Sequence, residues 1–491
     1  MPAIARPRRV AMDATVFRVM TREGASIPIR RRPVAQVRRK SVPGRLARVA
    51  IVAAIVMSAD LGLSEPAQTT PFVPVPDPDE PAYLGSAACI TCHPEAGQRW
   101  QNSHHAWAWR KPSPDSVLGA FDGRRLLHDG VIVELTRRPS RSRSSAKPRQ
   151  APHHEPENAP ANPGEYVIRF DPDSDSPTEY PIVGTVGVAP LQQFLVETEP
   201  GRFQALDLAW DVERGRWYDL YHFNARCAEC HATGYEKRYQ PRERRYQSRQ
   251  AEIGVGCEAC HGPGEAHRDW AKAPARFDSG LWNEVDPNGL TLGFSAGAPE
   301  DEIQQCAACH ARRESLGDPS PRPGSAFHDA YRLSTLREGL YYPDGQIQGE
   351  VYVYGSFLQS AMYRKGVRCS NCHDPHSGSL RQAGNAICTQ CHNETGRPEF
   401  PSLPRALFDS SKHHFHAPNS TGAQCVSCHM PEQVYMGIDG RRDHGFRVPR
   451  PDLSERLGAP DVCTSCHVDR SVDWAAAEIA RRYPDGRHKR R

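Results

Sequence analysis

Apolar positions in this chain keep a regular period only in short stretches. Three segments alternate as strands do, Tyr166-Val-Ile-Arg-Phe170, Tyr180-Pro-Ile-Val183 and Arg202-Phe-Gln-Ala-Leu206, with Asp, Gly and Pro between them. They predict a small inserted β-rich subdomain over residues 165–224. Trp474-Ala-Ala-Ala-Glu-Ile-Ala-Arg-Arg482 consists of good helix formers and predicts a helix within 471–491, ahead of a basic tail. From Arg137 to Gly164, Pro, Ser, Arg and Ala leave little to bury, so 137–164 reads as a disordered insertion. Elsewhere the 44 Pro and 38 Gly break up longer patterns. The expectation is a mainly α chain with long loops, whose apolar interior comes largely from something other than its own side chains.

The cysteines say what that is. All 16 fall in Cys-x-x-Cys-His motifs: Cys89/Cys92/His93, Cys227/Cys230/His231, Cys257/Cys260/His261, Cys306/Cys309/His310, Cys369/Cys372/His373, Cys388/Cys391/His392, Cys425/Cys428/His429 and Cys463/Cys466/His467. At this spacing two thiols can add to the two vinyl groups of one haem while the adjacent His reaches the iron. A zinc half-site or a disulfide framework explains the cysteines but not the His that follows. With 22 His in 491 residues, a chance His after every motif has a probability on the order of 10⁻¹¹. The motifs therefore predict eight covalent c-type haems, each iron held by a motif His. The first falls in 71–136, the second to fourth in 225–320 and the fifth to eighth in 321–470. Haems five and six, with only 19 residues between His373 and His392, must be neighbours.

Thioether attachment takes place after export, so a leader is required. The first 48 residues carry 13 Lys and Arg against Asp13 and Glu23, and an apolar run from Val49 to Met57 follows. That layout predicts a signal or membrane-anchor segment and linker over 1–70, and hence a periplasmic or other extracytoplasmic location. The formal charge of +4 then becomes about −7 for residues 49–491, and the haem propionates add to it. Nucleic acid is disfavoured as a partner; a basic redox protein is favoured.

Function turns on the sixth iron ligand, because an iron capped by His carries electrons whereas an open one can transform a small molecule. Fourteen His lie outside the motifs, enough for full bis-His ligation. Beyond the leader the only Met are Met362, Met430 and Met436, so the centres should be mostly bis-His and low in potential.

Several segments resemble a known family. Cys89-Ile-Thr-Cys-His93 followed by Trp100-Gln-Asn-Ser-His-His105 is similar to the opening of the multihaem cytochrome c superfamily that contains pentahaem nitrite reductase, hydroxylamine oxidoreductase and octahaem tetrathionate reductase. Cys257-Glu-Ala-Cys-His-Gly-Pro-Gly-Glu-Ala-His267, Gly366-Val-Arg-Cys-Ser-Asn-Cys-His-Asp-Pro-His376 and Arg442-Asp-His444 are similar to family segments in which the trailing His caps another haem. The resemblance thus implies His105, His267, His376 and His444 as distal ligands, together with His414 and His416 from the cluster that also holds His413. Phe194-Leu-Val-Glu197, Val353-Tyr-Gly-Ser-Phe-Leu-Gln-Ser360 and Arg447-Val-Pro-Arg-Pro-Asp-Leu453 resemble an octahaem branch often fused to tetratricopeptide repeats. Two departures stand out. No motif ends in Lys, as the active haem of pentahaem nitrite reductases does, and Ser360-Ala-Met362 replaces a Ser-x-His, which makes Met362 either a sulfur ligand or packing.

Two functions follow. In the first, haems pass electrons between a quinol dehydrogenase and a terminal acceptor. In the second, one open haem reduces or oxidises a small nitrogen or sulfur compound such as nitrite, hydroxylamine or tetrathionate, with Arg312, Arg313, Arg364, Lys365 or Arg368 supplying charge.

Overall fold

The computed structural model describes residues 82–139, 164–199, 201–220, 227–272, 288–294, 298–318 and 321–486. The expected leader, most of the expected disordered insertion, and His153, His154, His222 and His488 lie outside the described residues.

The dominant regular element is an antiparallel sheet, and it corrects the mainly α expectation. Its strands are β1 (Arg124–His128), β2 (Val131–Arg138), β3 (Glu165–Phe170), β4 (Thr178–Val186), β5 (Leu191–Glu199), β6 (Arg202–Ala205), β7 (Leu208–Asp211) and β8 (Arg216–Asp219). They run in the order β1-β2-β3-β4-β5-β7-β8, with β6 paired to β5 off this path. The sheet is larger than the β-rich subdomain expected over 165–224, because β1 and β2 come from the region assigned to the first haem. Their turn is Asp129-Gly130, with φ of 48° and 82°. Positive φ at both positions suits the twist of a two-residue hairpin, and Asp and Gly tolerate it best.

The sheet is rolled. Its outermost strands in the pairing order are β1 and β8, yet His128 at the end of β1 hydrogen-bonds Asp219 at the end of β8 at 2.6 Å. A single core fits that curvature: Val133, Leu135, Ile168, Ile182, Phe194, Val196, Leu208 and Trp210 pack together with Phe121 and Trp217. Phe194 is fully buried at its centre, its ring 5.3 Å from Phe121 and 5.1 Å from Trp217.

Among the described residues the helices outside the sheet are short, the longest being Val472–Arg482, whose Ser471 side chain accepts the Trp474 N–H at the N-cap. Among the described residues no helix is long and apolar enough to cross a membrane. A continuous cavity of 4150 Å³ is lined by the cysteines and histidines of the first six motifs. Ordinary ligand pockets are about 300–1,000 Å³. The motifs thus line a space several times larger than a single small ligand needs.

Candidate haem centres

Each motif folds as one helical turn. In the first, Cys92 N–H and His93 N–H both donate to Cys89 O, at 3.2 and 3.0 Å, and the second to sixth and the eighth motifs repeat the pattern. The seventh lies within the helix Cys425–His429. Positions i, i+3 and i+4 share a helix face, so both sulfurs and the imidazole point the same way. The sequence spacing becomes a one-sided haem anchor through this turn.

Six motif histidines have a second imidazole facing them. The pairs are His93 with His267 at 6.2 Å between ring centroids, His310 with His105 at 6.3 Å, His261 with His376 at 6.3 Å, His373 with His444 at 6.4 Å, His429 with His413 at 6.2 Å and His467 with His416 at 6.1 Å. Two imidazoles on opposite sides of one iron, with metal–nitrogen bonds of about 2.0 Å, place their centroids roughly 6.3 Å apart. The spacing fits an iron between each pair.

The outer hydrogen bonds agree with that use. Nδ1 of His105 faces Pro375 O at 3.2 Å, that of His231 Ala108 O at 2.7 Å, that of His267 Asn288 O at 2.8 Å, that of His429 Arg447 O at 2.8 Å and that of His444 Arg442 O at 2.9 Å. A carbonyl can only accept, so Nδ1 carries the proton and Nε2 keeps its lone pair for a metal. Burial, helped by neighbouring histidines, pushes His261 and His310 down to about 4 and keeps them neutral, as ligation requires.

His414 does not stand opposite a motif histidine. Its Nδ1 accepts the His416 N–H at 3.1 Å, which leaves the proton on Nε2, and the neighbouring His413 faces His429 instead. Met362 packs against the buried cluster that includes Tyr354 and Phe357. His310 and His373, of the fourth and fifth motifs, each already face a second imidazole, and this packing accounts for the residue. Among the described residues, no imidazole faces His231 or His392 at the same separation.

The sulfurs reveal the order of the centres. Cys89 contacts Cys257, Cys306 contacts Cys369 and Cys388 contacts Cys425. Cys260 lies within electrostatic reach of Cys306 and Cys309, Cys372 of Cys391, and Cys428 of Cys466. This strings the motifs as one, three, four, five, six, seven, eight. The second stands aside from that line, its Cys230 against Cys309 of the fourth.

Charged groups gather beside this side branch. Arg313 donates to Glu229 Oε2 at 2.6 Å, lies 3.6 Å from Cys230 Sγ and stacks 3.8 Å over Tyr331. Tyr352, electrostatically linked to Cys230 and Arg312, sits beneath Arg441 at 5.5 Å. Arg441 in turn donates to Glu350 at 2.9 Å and Asp439 at 2.7 Å. Burial raises the Glu350 carboxyl and the Tyr352 hydroxyl. Tyr352 has a left-handed backbone at φ 58°, held by its bridge to Ala311. That conformation costs a bulky residue roughly 1–3 kcal/mol and is typical of functional sites. Of the basic residues named from sequence, Arg312 and Arg313 belong to this cluster, whereas Arg364 bonds Gln359 O at 3.0 Å and Arg368 bonds Phe294 O at 3.2 Å. Arg441 went unnoticed, although it directly precedes the Arg442-Asp-His444 segment.

Comparison with known proteins gives matches to two family models, "Cytochrome c554 and c-prime" over residues 88–118 and 214–262, and "Doubled CXXCH motif" over residues 361–397. The dissimilatory sulfite reductase MccA of Wolinella succinogenes is 24% identical over 227 residues, 40% of this chain, which spans only 25% of that relative. Among solved structures, the outer cell wall cytochrome OcwA superposes with a TM-score of 0.52 at 19% identity, covering 81% of this chain and 86% of its own. The undecahaem cytochrome from the S-layer of Carboxydothermus ferrireducens gives a TM-score of 0.41 at 18% identity, covering 81% of this chain and 59% of its own.

Proposed function

We propose, from the chain's place among the multihaem c-type cytochromes, that it is an exported octahaem electron carrier. When bound, each haem supplies a reversible one-electron change at its iron. The protein's part is to hold the centres in sequence and keep their ligands fixed. Imidazole pairs would cap at least six positions, so mostly low potentials are expected. The carbonyl acceptors at Nδ1 lock the ring orientation, so that oxidation and reduction require little rearrangement. The observation that carries this reading is the set of six imidazole pairs at 6.1–6.4 Å, joined into a line by their cysteines.

Cys92 and Cys466, the exposed cysteines, belong to the first and eighth motifs at the two ends of that line. Electrons therefore enter and leave there, from a quinol dehydrogenase or to a terminal acceptor, and the excess of acid in the body of the chain favours basic partners. The basic leader and the cell-wall origin of the structural neighbour OcwA support an extracytoplasmic location. Low-temperature EPR of the ferric protein, with haem and iron quantified, tests the assignment. Six or more low-spin centres are expected; a mostly high-spin spectrum would overturn it.

A second reading is favoured at one place. His231 faces no described imidazole, and Tyr352, Arg312, Arg441 and Glu350 gather beside its motif. Under this reading the side branch is where a small nitrogen or sulfur oxyanion is bound, the guanidinium groups holding its charge and Glu350 or Tyr352 supplying protons. The sulfite reductase relative supports that alternative. A high-spin EPR signal that shifts when nitrite or sulfite is added, and whose shift is weakened by Arg441→Gln, would support catalysis at this branch rather than at the sixth motif.

A further inference from the structure

His128 is used by none of the haem centres, and among the described residues it alone has a carboxylate against each ring nitrogen. Nδ1 lies 2.6 Å from Asp219 Oδ1, and Nε2 lies 2.9 Å from Asp207 Oδ1. The His128 side chain is 7% exposed. Asp129 completes a group in which the His128, Asp129 and Asp207 ligand atoms all lie within 4.8 Å of one another. These residues come from three places: the β1–β2 turn, the β6–β7 connection and the end of β8.

A neutral imidazole carries one N–H and can donate to one carboxylate. The other nitrogen would then turn a lone pair toward an anionic oxygen, which is stable only if a positive charge lies between them. The two contacts are not alike. The 2.6 Å contact to Asp219 is a short, charge-assisted hydrogen bond. The 2.9 Å contact to Asp207 matches the edge of a coordination shell, since metal bonds of about 2.0–2.2 Å at right to tetrahedral angles set neighbouring ligand atoms roughly 2.9–3.4 Å apart. Three carboxylates around one imidazole are also better balanced by two positive charges than by one.

We propose that His128 Nε2, Asp207 and Asp129 bind a divalent transition-metal ion of the zinc type, with Asp219 holding the Nδ1–H as the outer partner. One imidazole and two carboxylates form a donor set that zinc accepts, water completing the shell. A carboxylate on the far nitrogen of a metal-bound His is the usual supporting arrangement. The ion would tie the β1–β2 turn to the β6–β7 connection, while Asp219 links the same His to β8, so that the seam of the rolled sheet closes around it.

The test uses the haem-loaded protein, treated with chelator, desalted and titrated with ZnCl₂ by calorimetry, with zinc and iron counted by mass spectrometry. One zinc per chain is expected beyond the haem iron, together with a zinc-dependent rise in the unfolding temperature of the sheet. Asp207→Asn and Asp129→Asn should each weaken zinc at least tenfold, and Asp219→Asn by about 10–100-fold, all with an unchanged haem spectrum. Asp129 sits on an exposed turn, so its variant reports on binding even if Asp207→Asn fails to fold. No stoichiometric zinc, or zinc binding indifferent to Asp129→Asn, would overturn the proposal and leave a protonated imidazole as the bridge.

Discussion

At the scale of single residues, one bonded atom often decides a role. The His413-to-His416 cluster was legible in the sequence as a ligand source, but which member serves was not, because the answer lies in where one N–H points. His105→Ala should uncap the iron of the fourth motif: one low-spin ferric signal should give way to a high-spin one while the haem count stays constant. An unchanged EPR spectrum would remove His105 from the ligand set. Met362→Leu should leave the spectrum as it was, since neither adjacent iron lacks an imidazole. His128 yields a pH prediction for protein stripped of divalent metal. Burial alone would lower its pKa, but the hydrogen bonds it donates to Asp219 and Asp207 outweigh burial and raise it. A raised folded pKa means that the seam is stabilised in full below the unfolded value and loses that stabilisation as pH rises through the folded one. The unfolding temperature of the sheet should therefore fall between mildly acidic and alkaline pH, and Asp219→Asn should flatten that slope.

At the scale of elements, the motifs' helical turns could be read from spacing alone, because i, i+3 and i+4 have only one helical arrangement that serves a single haem. The sheet was half legible. The segments near Tyr166, Tyr180 and Arg202 alternate clearly and form strands. The β1–β2 hairpin had its own signal in Asp129-Gly130 between two apolar runs, masked by the pairs of arginines that flank those runs. No local pattern foretold that the outer strands would meet, since the contact of His128 with Asp219 joins residues far apart in the chain. Phe194→Ala, at the centre of the core, should cost about 3–5 kcal/mol. Its effect should appear as a lower melting temperature in far-ultraviolet circular dichroism, with the haem absorption spectrum of the folded protein unchanged. A shifted haem spectrum would show instead that the sheet and the centres are packed as one.

At the scale of the whole molecule, chain order and centre order differ. The second motif leaves the line, and the third takes its place between the first and the fourth. Sequence spacing foretold only the nearness of the fifth and sixth centres, because the other neighbours are brought together by distant segments. On the second reading proposed above, the same arrangement would separate conduction from ligand capture. Arg441→Gln should weaken cyanide or nitrite binding at the branch at least tenfold and leave electron passage between the exposed ends intact. If it slowed that passage and binding alike, the branch would belong to the main line.

The imidazole pairs also bear on how the polymer is held closed. Each joins a motif, already tethered to its porphyrin, to a histidine elsewhere: His93 to His267, His105 to His310, His261 to His376. With haem bound as proposed, these pairs would act as cross-links, most of them closing long loops much as disulfides do, with most of the entropy removed from the unfolded chain. The molecule spends its cysteines on porphyrin and regains their stapling power through iron, so the protein without haem should lack not only its redox centres but the ties that hold its ends near its middle.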